Sequence, residues 1–404
     1  MHPLERGIRL PRATAEAPGR LPPQQRVTIP LQWGETALVQ VGETVLLGQR
    51  IADGSGDTVP VHASVSGTVA AIAPRTCADG RRHPAIVLQN DGAEQWDSAV
   101  CARALLDDLS DELLLNTLFE AGIRLPDGMP LASAIADAGP GVQMLIISAM
   151  DPEPSLCTED AVLAFDTEAA LSGIRVLERL LRPQNLVLAV GAGQKAAIRA
   201  AERWIGQRLR LAVTPDVYPA GHPRRLAELI GGLQPGQTAR EGGVLVLPVS
   251  AAAAAGRSAY EGLPVVEQLV CVSWGDGHSL LKAPLGAPVS AVLRAAGHDG
   301  GLVLAGGPMT GVCLDNLSVP VVKGLSGLTL LPRQAAPRQT ACIRCGRCAA
   351  VCPAGLQPWQ SQCRRARRDW NGCLRCGACQ YSCPAGLPLL QAMGRRGREV
   401  AGVG

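Results

Sequence analysis

Cys342-Ile343-Arg344-Cys345-Gly346-Arg347-Cys348, closing at Cys352-Pro353, is followed by Cys373-Leu374-Arg375-Cys376-Gly377-Ala378-Cys379, closing at Cys383-Pro384. Each run is C-x2-C-x2-C-x3-C-P, the spacing by which bacterial ferredoxins hold 4Fe–4S clusters. Three thiolates on one tight loop reach three irons of a cube, and a fourth must come from farther away. In two-cluster proteins it comes from the opposite run. The spacing therefore predicts one cluster on Cys342, Cys345, Cys348 and Cys383, and another on Cys373, Cys376, Cys379 and Cys352. Gly346 and Gly377 let the backbone turn toward the sulfurs. Pro353 and Pro384 stop a helix from running on past the ligand.

Zinc is usually held by paired knuckles, not by four cysteines in one eleven-residue run, twice over. A disulfide framework belongs to small secreted scaffolds, which a chain of 404 residues is not. The other six of the 14 cysteines (Cys77, Cys101, Cys157, Cys271, Cys313, Cys363) are scattered without partner spacing. Free thiols beside cluster ligands point to a reducing compartment.

The length suggests about two to four domains. No stretch reaches the ~18 apolar residues needed to span a bilayer. Met1 to Pro30 is rich in Pro and Arg and has no apolar core, so it does not read as a signal peptide. Membrane association is therefore expected through partners. The net charge of +3 divides unevenly: from Leu331 onward twelve Arg face only Asp369 and Glu399, a balance of +10 that leaves −7 upstream. These arginines suit a dock for an acidic electron carrier, or they offset the negative charge of thiolate-ligated clusters. Nucleic acid is not expected, because few base-stacking aromatics (Trp359, Trp370, Tyr381) accompany them.

In chain order, residues 1–26 read as an extended arm punctuated by Pro11, Pro18, Pro22 and Pro23. Residues 27–100 alternate short β-type runs with glycines, as in Val39–Val45, Leu47–Ala52 and Val61–Val69, which predicts a small flattened β-barrel. They resemble the barrel-sandwich pattern of biotinyl and lipoyl carriers. The stretch has no Lys to modify, so a structural barrel is expected, with His62 as a turn or packing residue. Residues 101–243 alternate helix and strand: helix 105–121, strand 142–148, helix 158–181, strand 186–190, helix 195–208, strand 209–213 and helix 225–231. That order predicts a parallel sheet with crossover helices. Its ligand loops would be Asp151-Pro152-Glu153-Pro154, Gly191-Ala192-Gly193 and Tyr218-Pro219-Ala220-Gly221-His222. Gly191-Ala192-Gly193 lacks the third glycine of a nucleotide loop and reads as a plain connection. Residues 244–332 carry β-like runs at 266–273, 302–305 and 319–322 around the turn Gly306-Gly307-Pro308-Met309-Thr310-Gly311, as in a β-grasp module. Residues 333–404 hold the two cysteine runs.

Taken together, the chain resembles the RnfC family of the Rnf (Rsx) electron-transport complex over nearly its whole length. The resemblance rests on His62-Ala63-Ser64-Val65-Ser66-Gly67-Thr68-Val69, Gly306-Gly307-Pro308-Met309, the first cysteine run and Pro353-Ala354-Gly355-Leu356. It implies a multidomain α/β protein: a barrel-sandwich domain, a complex I 51-kDa-like domain, an SLBB-like β-grasp module and a ferredoxin-like helical domain with two 4Fe–4S clusters. It implies FMN and NADH, with Asp151 and Glu153 near the nucleotide, partner subunits in a membrane complex, and a ferredoxin-like acidic carrier. It places the protein peripherally on the cytoplasmic face of the inner membrane, in an ion-translocating NADH:ferredoxin oxidoreductase.

Departures leave alternatives open. Where the family carries G-L-G-G-A-G-F-P, this chain has Gly122-Ile123-Arg124-Leu125-Pro126-Asp127-Gly128-Met129-Pro130. The acidic residue after Tyr218-Pro219-Ala220-Gly221 is replaced by His222-Pro223. The readings that remain are an NADH-linked flavoprotein of the complex, a cluster-bearing relay without nucleotide, and a cobalamin-reductase-like flavoprotein.

Overall fold

The computed structural model describes residues 6–54, 57–101, 109–206, 208–234, 237–332, 339–363, 370 and 372–400, the last six by backbone alone. The arm begins with β1 (Gly19–Arg20). The barrel contains β2 (Arg26–Pro30), β3 (Thr36–Ala37), β4 (Thr44–Val45), β5 (Arg50–Asp53), β6 (Val61–His62), β7 (Gly67–Ile72), β8 (Arg75–Thr76), β9 (Arg82–His83) and β10 (Ala85–Asn90). Its two layers, β2-β10-β7-β4 and β3-β5-β6, enclose Val27, Ile29, Val45, Ile51, Val69, Ile86 and Leu88. Gly67 turns with φ +150, and a Cβ there would lie 1.9 Å from the Gln89 carbonyl, so only glycine fits. His62 is a buried packing residue, its pKa pushed down to about 3 by burial and by the nearby Lys323 and Arg50.

The middle of the chain runs α1 (Asp111–Glu120), α2 (Leu131–Ala138), β11 (Met144–Ser148), α3 (Thr158–Phe165), α4 (Thr167–Leu181), β12 (Asn185–Gly191), α5 (Lys195–Glu202), β13 (Leu209–Thr214), α6 (Pro223–Leu229), β14 (Val244–Pro248) and α7 (Val249–Glu261). The sheet is wholly parallel in the order β13-β12-β11-β14, as the alternation predicts. The single helix expected over 158–181 is two, broken at Asp166, whose carboxylate pairs with Arg257 of α7. Helices α4 and α7 cross at glycines. A Cβ on Gly173 would overlap the Ala252 carbonyl and one on Gly256 the Ala169 carbonyl, so backbone packs on backbone. The start of the helix expected at 105 lies outside the described residues; α1 begins where the Ser110 side chain accepts from Leu113 N.

The expected boundary after residue 243 is corrected. Strand β14 pairs with β11, and α7 packs into the same core as Leu145, Leu177 and Leu188, so this domain runs on to Glu261. The second sheet follows, from β15 (Glu267–Trp274), β16 (Gly277–Pro284), α8 (Val289–Ala295), β17 (Leu302–Ala305), β18 (Val312–Cys313) and β19 (Gly327–Leu331), in the order β1-β16-β15-β19-β17-β18. The hairpin β15–β16, the helix α8 and β19 parallel to β15 give it the expected β-grasp connectivity. The run 319–322 is not a strand but a segment beside Pro288, because Pro320 cannot donate to a ladder.

The arm is built in rather than free. Ile8 and Tyr218 exchange backbone bonds of 2.9 and 2.8 Å, Ala13 N donates to Pro154 O, and β1 adds a parallel strand to β16. Cys157 and Cys271, far apart in sequence, bring their buried sulfurs to 3.8 Å.

Candidate iron-sulfur site

The last module contains α9 (Arg347–Ala350), a 3-10 turn (Pro358–Gln362), α10 (Ala378–Tyr381) and α11 (Leu389–Val400). The two cysteine loops are copies in backbone as well as in sequence. Arg344 and Arg375 both take φ 55, Gly346 takes 77 and Gly377 takes 76. These left-handed turns wrap each loop and start a one-turn helix at its third cysteine.

The thiols fall into the crossed grouping that the spacing predicts. Burial pushes the Cys348 thiol up, and its sulfur neighbours are Cys383 and Cys342. Burial likewise raises Cys352, whose sulfur neighbour is Cys373. Cys376 is pushed up to about 11 by burial, then by Cys352 and Cys373. Cys379, pushed up to about 12 by burial, lies near Cys376, Cys373 and Cys352, and also near Cys348 of the other group. Crowded, desolvated thiols stay protonated; bound metal cations deprotonate them together.

Backbone amides also point at the sulfurs. Trp359 and Ala349 serve Cys348, Leu356 and Ala354 serve Cys352, and Ala378 serves Cys376. Arg375 N donates to Cys373 Sγ at 3.3 Å. Amide donors stabilise sulfur-borne negative charge, so the residues present fit cluster binding. Among the described residues no three His, Cys, Asp or Glu side chains gather around a single metal ion. A cube holds its ligands farther apart than a mononuclear site does.

The two loops face different surroundings. Ile343 is 66% exposed, and Arg344, Cys345 and Arg347 are exposed beside it. The second loop is buried at Cys376, Ala378 and Cys379. There the Tyr218 hydroxyl donates to the Cys376 carbonyl at 2.5 Å, and Met309 covers Gly377. Of the arginines expected to form a dock, Arg333, Arg338, Arg364, Arg365, Arg367 and Arg368 lie outside the described residues.

The residues the resemblance assigns to a nucleotide are engaged elsewhere. Asp151 accepts from Thr158 Oγ1 and from the amides of Glu159 and Asp160, at 2.9, 2.9 and 3.2 Å, so it caps α3. Glu153 accepts from Met309 N at 2.7 Å, Thr310 N at 2.9 Å and Thr310 Oγ1. Buried carboxylates need such bonds, and these are satisfied from within. In the 122–130 loop, the amides of Leu125, Gly128 and Met129 donate to Met129 O, Leu125 O and Asp127 Oδ1, and Leu131 N donates to Ile123 O. The Arg124 guanidinium folds back onto Gly128 O and the buried Glu35, while Lys323 Nζ holds Gly122 O and Pro60 O. A cavity of about 670 Å³ adjoins this loop, and its lining cations Arg124, Arg257 and Lys323 are all committed to protein partners. The loop residues present therefore do not fit a flavin phosphate.

Comparison with known proteins agrees with this geometry. Residues 4–93 match the RnfC barrel sandwich hybrid domain, and residues 341–387 match the 4Fe-4S dicluster domain. The chain is 35% identical over 343 residues to the RnfC protein of the ion-translocating oxidoreductase complex of Serratia proteamaculans, covering 80% of this chain and 48% of that one. It is 33% identical over 385 residues to the protein of the same name from Yersinia pestis bv. Antiqua, covering 89% and 61%. The chain belongs to the RnfC family. It spans about half to three fifths of the length of these RnfC relatives. Among solved structures, an air-oxidized NAD+-reducing [NiFe]-hydrogenase aligns with TM-score 0.48 and 18% identity, over 64% of this chain and 55% of that one. The RnfC assignment brings a barrel-sandwich amino-terminal domain and two 4Fe–4S clusters in the carboxyl-terminal one. Among the described residues no helix is long and apolar enough to cross a membrane.

Spacing alone found the cysteines. It missed Tyr218 and Met309 as neighbours of the second loop, because only the fold brings positions 218, 309 and 376 together.

Proposed function

We propose that this chain is the electron-relaying iron–sulfur component of an Rnf-type ion-translocating oxidoreductase complex, peripheral to the cytoplasmic face of the membrane. Cys342, Cys345, Cys348 and Cys383 hold an outer cluster; Cys373, Cys376, Cys379 and Cys352 hold an inner one. The clusters, when bound, supply one-electron transfer. The protein's own residues bury the sulfurs, aim amides at them and leave one loop open to a partner. The observation that carries this reading is the crossed grouping of the eight cysteines.

The middle domain is read as complex I 51-kDa-like and the second sheet as an SLBB-like β-grasp. Because the 122–130 loop satisfies its own amides and Asp151 and Glu153 are internal braces, the relay is fed by a separate protein carrier and not by its own FMN and NADH. Ile343, Arg344, Cys345 and Arg347 form the exchange surface, suited to an acidic, ferredoxin-like partner.

Anaerobic purification tests the reading. About eight irons per chain, no stoichiometric flavin and co-purification with membrane proteins of the complex are expected. Far fewer irons would overturn the relay, while tightly bound FMN bleached by NADH would overturn its flavin-free form.

A further inference from the structure

The two cysteine loops are near-duplicates in backbone, so a difference in their surroundings acts on one cluster and uses the other as an internal control. The first loop is open: a Cβ on Gly346 would meet nothing within 4 Å. The second is clasped from both sides. The β-grasp turn places Met309 O over Gly377, held there by Glu153 through the Met309 and Thr310 amides. From the other side comes Tyr218, on the loop that leaves the carboxyl end of β13, only 5% exposed and packed among Cys376, Ala378, Met309 and Leu374. Its backbone is fixed by the paired bonds to Ile8, and its hydroxyl donates to the carbonyl of Cys376.

We propose that Tyr218 is a positioning residue for the inner cluster, holding the Cys376 carbonyl so that this ligand loop keeps its orientation and its dipole is opposed by a buried hydroxyl. The proposal rests on the cysteine assignment given under the proposed function. Reduction potentials of such clusters respond to hydrogen bonds and exposure around the ligands. The carbonyl oxygen is the negative end of the Cys376 peptide dipole. A hydroxyl proton directed at it offsets that charge and favours the more negative, reduced state. Without the proton, the inner cluster becomes harder to reduce, while the outer cluster, which Tyr218 does not touch, is unaffected.

The test is a redox titration followed by electron paramagnetic resonance on the full, iron-loaded chain, comparing wild type with Tyr218→Phe. The reduction equilibrium of one cluster should move about fivefold toward the oxidised form, in keeping with one neutral hydrogen bond, and the other should stay put. Hydrogen exchange on the same samples should quicken for amides 374–380 and not for 343–349. Replacing Tyr218 by 3-fluorotyrosine, a stronger donor of the same shape, should move the same cluster in the opposite direction. Two unmoved potentials, or two that shift together in both variants, overturn the role of Tyr218. Absence of iron in the wild type would instead overturn the cysteine assignment itself, so the two failures are distinguishable.

Discussion

Gly377 lies directly beneath Met309: a Cβ at position 377 would stand 2.6 Å from the Met309 carbonyl oxygen. Its counterpart Gly346 has open space in that direction, although both take the same left-handed backbone. Gly346→Ala therefore costs only backbone strain, about 1–3 kcal/mol, and both clusters should survive. Gly377→Ala adds a clash with backbone that cannot rotate away. It should lose the inner cluster, read as a drop to roughly half the iron content and visible absorbance.

The crossed grouping makes a sharper forecast for Cys352. It lies in the first run, yet its sulfur neighbour is Cys373. Cys352→Ala should abolish the signal of the cluster held by the second run and leave that of Cys342, Cys345 and Cys348. Selective loss of the first-run cluster would show that each run serves itself. Circular dichroism of residues 6–332 should be unchanged in either case.

Arg124 and Glu35 form an ion pair of 2.6 Å between the 122–130 loop and the barrel, their side chains only 4% and 2% exposed. Glu35→Ala strands a buried cation and should cost about 3–5 kcal/mol. Glu35→Leu combined with Arg124→Met should recover most of that. Denaturant midpoints of the three proteins decide it.

Glu159 gives a pH dependence with a definite sign. Burial, then the charge of Asp151, pushes its pKa up from 4.5 to about 7, against two bonds from Ser250. Between those values the native state binds a proton that the unfolded state has lost, so stability falls as pH rises from 4.5 to 7. Glu159→Gln removes that slope. It should be neutral near pH 5 and stabilising by about 3 kcal/mol near pH 8. His62, held down at about 3, works the other way and destabilises the fold below pH 6.5, so the comparison must be variant against parent at each pH.

Much of this molecule was legible in residue order because its signals are local. Cysteine spacing is set by the reach of one loop, and the alternation of helix and strand in 142–231 follows from burial on both faces of a parallel sheet. What residue order did not contain is set by distant contacts. The break at Asp166 depends on Arg257, and the boundary after Glu261 depends on β14 joining β11. Asp151 and Glu153 look like ligand-facing acids in sequence, but the amides that engage them belong to α3 and to a turn more than 150 residues away. A carboxylate reads the same whether it waits for a substrate or ties two loops together.

The threading of the arm bears on how the chain is made. Residues 8, 13 and 19 find their partners at Tyr218, Pro154 and Leu281, all of which leave the ribosome later. The earliest-made segment must therefore wait until most of the polypeptide has emerged before it can lock. Its locking also fixes the backbone of Tyr218 under the second cysteine loop, so assembly is completed by the piece that was synthesised first.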